Sequence, residues 1–266
     1  MLLSLKNVLF LKNIIFIDPL SQFEVVNALN LGLIYLTNLS VFIIIIMTGM
    51  QIFFVFSLGN GFSNVFNFLT FALLRLVNSI INDNTALKRK QYFSVVFYLF
   101  MFILFSNMIG LLPFSWSITN SFVITFYLAF TYFFGINLVA IWRRGWDYCK
   151  LFLPSGVPIV LAPLIVVIEV VSYYSRVLSL SIRLFANISS GHALLKILTG
   201  FSWGIASSVF TGAYGFKVIT VLIGFLVPWL VVTLIFFLEF LIAFLQSYVF
   251  VILISIYIND VSNADH

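Results

Sequence analysis

The sequence is poor in charge, in histidine and in cysteine. Its 266 residues include 13 Lys and Arg, 8 Asp and Glu, 2 His and 1 Cys. Charged residues make up 8%, hydrophobic residues 63%, whereas a soluble domain carries about 25% charged residues. With a mean hydropathy of +1.19, the chain reads as one polytopic membrane bundle, although its length alone would allow one or two soluble domains. The single Cys149 excludes an intrachain disulfide and a thiolate metal cluster. His192 and His266 cannot supply paired ligands to haem, which argues against a haem-carrying respiratory subunit. No P-loop, Gly-rich nucleotide fingerprint or metal-spaced cluster occurs, so no cofactor, metal or nucleotide is expected. The net charge of +5 sits in loops between apolar runs and is not a nucleic-acid footprint.

What is present is a series of apolar runs. The start, Met1 to Lys6, is neither Arg-rich nor closed by a small-residue cleavage site, and reads as an ordinary terminal segment. Residues 1–35 are mixed, with a turn at Asp18-Pro19. A first span is expected over 36–56. Over 62–82, Phe62, Phe66, Leu69, Leu73, Leu76 and Ile80 recur at helical spacing, with Asn64, Asn67, Arg75, Asn78 and Asn82 on another face. That pattern suggests an interfacial helix, although Phe71 and Leu74 on the polar face leave open a helix packed against other subunits. Spans near 92–112 and 120–142 follow, joined by a neutral loop around Pro113 and flanked by Lys88-Arg89-Lys90 and by Arg143-Arg144 with Lys150. Basic loops on one side mark the inner side, which puts the N-terminus outside.

Beyond Pro154 and Pro158, residues 163–198 and 216–257 read as two long helices. At 1.5 Å per residue they measure about 54 Å and about 60 Å, against a hydrocarbon core about 30 Å thick. Neither fits upright, so a strongly tilted hairpin is expected. The fold class is therefore all-α and polytopic: about three ordinary spans or interfacial helices, then the tilted C-terminal hairpin. The divisions fall at 1–35, 36–158 (with the helix near 62–82) and 159–266.

The hairpin holds the charge that lipid penalises most, at roughly 2.5–3.5 kcal/mol per Arg, Lys or Asp at the bilayer centre on insertion scales. Glu169, Arg176 and Arg183 are seven residues apart, so they drift by only about 20° per step along one helix face. Ser172, Ser179, Asn187 and Ser190 lie near the same stripe. Glu239 and Gln246, also seven apart, share a face of the second helix. Between Tyr148 and Asn259 the only carboxylates are Glu169 and Glu239. Such polar seams must face protein or water. A transporter or channel with intramembrane charges would fit the composition, but the internal repeats common in such proteins are missing. A structural or quinone-site subunit of a respiratory complex is a further alternative.

The run Ser181-Ile182-Arg183-Leu184-Phe185-Ala186-Asn187, followed by Gly191-His192, closely resembles the signature of the subunit a family of F-type ATP synthases, in its mitochondrial form. Asp18-Pro19-Leu20, Gln22-Phe23-Glu24, Ser106 to Pro113, Glu239 to Gln246 and Tyr257 to Asp260 match as well, so the resemblance covers most of the chain. It implies a stator subunit of the membrane sector that offers two offset proton paths to the carboxylate of a rotating c-ring. Such a subunit binds no nucleotide and catalyses nothing on its own. Arg183 would separate the two paths, since arginine keeps its proton in proteins. His192 and Glu239 would face one another across the hairpin and pass protons on, with the acid and the imidazole exchanged in bacterial members. Asn187 and Gln246 would order water or hold Arg183. Glu169 is assigned to the inner path. Arg176, Ser179 and Ser190 are possible supports, and both Arg176 and Glu169 can equally be structural. Lys196 and Lys217, taken to flank the outer turn, read as snorkelling anchors. The partners implied are the c-ring, the peripheral stalk, other membrane-sector subunits and lipids. The implied location is the mitochondrial inner membrane, with the C-terminus on the matrix side.

Overall fold

A computed structural model describes residues 27–31, 34–58, 64–84, 92–112, 117–145, 148, 152, 161–210 and 218–263. Among the described residues two short antiparallel strands, β1 (Asn27–Leu31) and β2 (Ile34–Thr37), precede six α-helices. These are α1 (Asn38–Leu58), α2 (Asn64–Asn84), α3 (Phe93–Gly110), α4 (Phe122–Arg144), α5 (Ala162–Phe210) and α6 (Val218–Asn263). All six are long and apolar enough to cross a membrane. The chain is thus a polytopic helical membrane protein, and the hairpin β1–β2 is a small addition to the all-α expectation.

Local chemistry explains several boundaries. Thr37 caps α1: its hydroxyl accepts from the Ser40 amide at 3.5 Å, and Ser40 Oγ donates back to the Thr37 carbonyl at 2.8 Å. Helix α4 stops at Gly145, whose φ of 58° suits a residue without Cβ. On α2 the buried positions are Thr70, Val77, Ile80 and Ile81, while Phe66 and Leu69 are exposed. The apolar face is therefore rotated from the one that the spacing suggests, as α2 packs against α1, α3 and α6.

The core is built where the C-terminal half of α6 meets the other helices. Phe250, Val251 and Ile254 of α6 pack with Leu99, Phe100 and Ile103 of α3, Val177, Leu180 and Leu184 of α5, and Val77 of α2. Asn137 of α4 fastens the N-terminal part of α5: its Oδ1 accepts from Tyr173 at 2.6 Å and from Tyr148 at 2.8 Å. The C-terminal half of α5 and the N-terminal half of α6 expose large apolar residues such as Leu194, Ile197, Trp229, Leu230 and Phe237. In water such a surface would aggregate; in a bilayer it meets lipid or other subunits.

The long pair exceeds its expected bounds. At 1.5 Å per residue, α5 with 49 residues and α6 with 46 are about 74 Å and about 69 Å long. The expected end of α5 at 198 is corrected to Phe210. Lys196 accordingly lies inside α5 and does not border the turn, while Lys217 is outside the described residues. The reason is that a membrane helix satisfies its own backbone. Thr199 Oγ1 donates to the Leu195 carbonyl at 2.8 Å, and Ser202 Oγ to Leu198 at 2.9 Å, so polar side chains in this run fold back onto the helix. Pro228 sits inside α6 without ending it.

Candidate functional site

The polar residues of α5 divide between two faces. Arg176, Ser179, Arg183 and Ser190 are exposed on the outer surface of the chain. Glu169, Asn187 and His192 are half-buried. The heptad spacing puts Arg176 and Arg183 on one side, and the next residues, Asn187 and His192, turn towards α6 because a helix advances about 100° per residue.

Asn187 Nδ2 donates to Gln246 Oε1 at 3.2 Å, joining the two long helices by a side-chain pair. Five residues further along α5, His192 lines a small, partly open cleft together with Asn187, Ile188, Glu239, Ile242 and Leu111. The cleft has room for about one water molecule. Four of the candidate residues thus come together: Asn187, His192, Glu239 and Gln246. Glu169 lies away from this group, fourteen positions before Arg183 on α5, which is about 21 Å along the axis.

Glu239 is 7% exposed and Gln246 4%. Both carboxyl oxygens of Glu239 and the Nε2 of Gln246 are buried and have no hydrogen-bond partner among the described residues. A buried polar group left in that state costs about 1–3 kcal/mol, so its presence calls for a use. Glu239 gains its place because residue 191 is glycine. A Cβ there would lie 2.6 Å from Glu239 Oε1 and 2.9 Å from its Cδ. The side chain of Glu239 therefore rests directly on the backbone of α5.

Arg183 makes no ion pair among the described residues, and its neighbours Ile182 and Ala186 are exposed with it. It is one turn from Asn187, but the hydrogen bond of Asn187 goes to Gln246. Ser190 Oγ donates to the Asn187 carbonyl at 3.3 Å, which spends that hydroxyl on its own helix. The arrangement can hold a titratable carboxyl in a small, largely apolar cleft while presenting a fixed cation on the exposed side of α5. Among the described residues no group of three or more His, Cys, Asp or Glu could hold a metal ion.

Two residues at this site are not evident from sequence reasoning. Asn107 of α3 is fully buried, and its Nδ2 donates to the carbonyl of Ala243 on α6 at 3.2 Å. Leu111, one turn after it, forms a wall of the cleft. The available signal was the run Ser106 to Pro113, in which an asparagine interrupts an apolar helix.

Residues 24–259 match the family described as ATP synthase A chain. The chain is 38% identical over 262 residues to ATP synthase subunit a of Pelagibacter ubique, covering 94% of this chain and 99% of that one. It is 38% identical over 250 residues to ATP synthase subunit a of Chondrus crispus, covering 92% and 95%. With ATP synthase subunit a of Brassica napus the identity is 37% over 258 residues, covering 92% and 96%.

Proposed function

The chain belongs to the ATP synthase A chain family, and from that premise we propose that it carries protons between the two sides of a membrane and the carboxylates of a rotating c-ring. It is a membrane-sector subunit of ATP synthase and works with the other subunits of that sector. In this reading residues 159–266 carry the proton route, 36–158 form the scaffold that holds it, and 1–35 form a separate leading segment.

The observation that carries the reading is the division of polar groups on α5. Arg183 faces outward without an ion pair among the described residues, while Asn187, His192, Glu239 and Gln246 gather on the inner side. Glu239 and His192 are the proton-exchanging groups of the outer path. Asn187 and Gln246 orient water and the approach to Arg183. Glu169 serves the inner path, with Arg176, Ser179 and Ser190 in support. An arginine and a carboxylate 4 Å apart attract by about 4 kcal/mol at an effective dielectric of 20. A rotor carboxyl arriving at Arg183 therefore gives up its proton, and the same fixed cation keeps protons from passing straight between the two paths.

The great length of α5 and α6 supports a hairpin tilted in the membrane and wrapped against the ring. We assign the complex to the mitochondrial inner membrane, with the C-terminus in the matrix and the N-terminus on the opposite side. The test of the reading is purification of the intact complex: the chain is expected to co-migrate with a c-ring, a peripheral stalk and a soluble ATPase head. Isolation without a c-ring overturns it.

A further inference from the structure

We propose that Asn107 is a positioning residue for Glu239, acting through the backbone of α6. The inference rests on the role just given to Glu239. Asn107 is 0% exposed and Ala243 is 0% exposed, and the amide of one donates to the carbonyl of the other across 136 residues of sequence. Ala243 stands one turn after Glu239 and three residues before Gln246. The bond therefore grips α6 between the two polar groups that α6 brings to the cleft.

A helix carbonyl already accepts the amide four residues on. A second donor at the same oxygen pulls that carbonyl away from the axis and fixes the local bend and depth of the helix. The end of α3 is itself held in place. A Cβ at Gly110 would lie 2.9 Å from Ser117 Oγ, so α3 fits closely against the segment 117–120. Asn107 carries that fixed reference to α6. At the other wall, Glu239 lies against Gly191 with no space for a methyl group. A carboxyl seated this closely is displaced by an ångström of helix movement, towards α5 or away from it. His192 is the one other titratable side chain lining the cleft among the described residues.

The experiment uses the assembled complex in membrane vesicles from which the catalytic head has been stripped, and measures passive proton flux as a function of pH. Asn107→Leu keeps the branched outline, with more bulk, and removes the donor; flux is expected to fall about five- to tenfold. Asn107→Asp keeps the shape, and it holds the question open where the leucine variant fails to assemble. Its protonated carboxyl can donate to Ala243 and its ionised form cannot. Flux in Asn107→Asp is therefore expected to approach that of the parent at acid pH and to decline more steeply as pH rises. A side chain that serves packing alone would leave the pH profile unchanged. A parental flux and profile in an assembled Asn107→Asp complex overturns the proposal. Glu239→Gln is run beside these variants. If it retains full flux, the reading of Glu239 fails; if it loses flux while Asn107→Asp behaves as the parent, only the role of Asn107 fails.

Discussion

Glu239 on α6 lies so close to Gly191 on α5 that a methyl group added to the glycine would sit 2.6 Å from the carboxyl oxygen. The contact is between a flexible side-chain end and bare backbone, which decides how a substitution acts. Glu239 can swing aside more cheaply than two packed helices can part.

Gly191→Ala is therefore expected to assemble and to fail in function. The overpacking costs about 1–3 kcal/mol, relieved mostly by moving the carboxyl out of the cleft beside His192. Proton-driven ATP synthesis should drop about tenfold, in line with that energy, while the amount of complex in the membrane stays near that of the parent. Quantitative immunoblotting and synthesis rates in the same vesicles check this. Normal synthesis in Gly191→Ala would show that the seat of Glu239 is not needed.

Glu239→Gln keeps the shape of the side chain and removes its titratable proton. We expect proton-driven synthesis to fall by about a hundredfold or more, the range seen when a proton-transferring group is lost, with assembly intact. His192→Gln should be milder, on the order of tenfold, because water in the cleft can still reach Glu239. Rates of synthesis under an imposed proton gradient decide the order. Equal or reversed effects would exchange the roles of the two residues.

Some of this site was legible in the chain and some was not. The spacing of Glu239 and Gln246 put both on one face of α6, and both are buried there. The heptad of Glu169, Arg176 and Arg183 gave one stripe on α5, yet periodicity could not tell which side of the stripe meets α6. Arg183 is exposed, while Leu184 beside it is buried and Asn187 one turn on pairs with the partner helix. The pairing of His192 with the Glu239 cleft came from family resemblance, since nothing local encodes a neighbour 47 positions away. Asn107 carried no local signal of its bond to Ala243. The end of α5 was misplaced because Gly200, Ser202 and Gly204 resemble helix breakers in water, whereas an apolar environment makes leaving the helix costlier than continuing it. The strands at 27–37 were missed because a hydropathy reading asks only for apolar length, and Ile34-Tyr35 before Thr37 are residues of high β propensity.

The side of the membrane on which the N-terminus lies depends on α2. If α2 lies at the interface, α1 is the one crossing before the basic loop at 88–90, and the N-terminus is outside. If α2 crosses, the N-terminus is inside. We expect the former. A single cysteine placed before Asp18, in a chain with Cys149 changed to serine, should react with an impermeant maleimide from the outer side of right-side-out membranes. Labelling only after permeabilisation would make α2 a true crossing.

Arg183 faces outward on α5, and Glu169 is about 21 Å away along the same helix. Glu239 lines the cleft on the other side, with His192. The guanidinium thus has no fixed carboxylate among the described residues, and a bare charge in lipid is too costly to persist alone. In the proposed function the compensation arrives with a partner, a passing rotor carboxylate. Two variants separate charge from geometry. Arg183→Lys retains a cation but loses the planar fork and the certainty of protonation, since a buried lysine can lose its proton. It is expected not to restore synthesis. On the proposed function, Arg183→Ala removes the barrier between the two access paths. Synthesis should fall below detection, and passive proton flux through head-stripped vesicles should persist even when the rotor cannot complete a turn. Measuring both quantities in one preparation is what distinguishes a barrier from a structural prop, because a misfolded bundle loses flux and synthesis together. Intact synthesis in Arg183→Ala, or an experimental structure of the complex with Arg183 bridged to Glu169 or Glu239 and turned from the ring, would overturn this account.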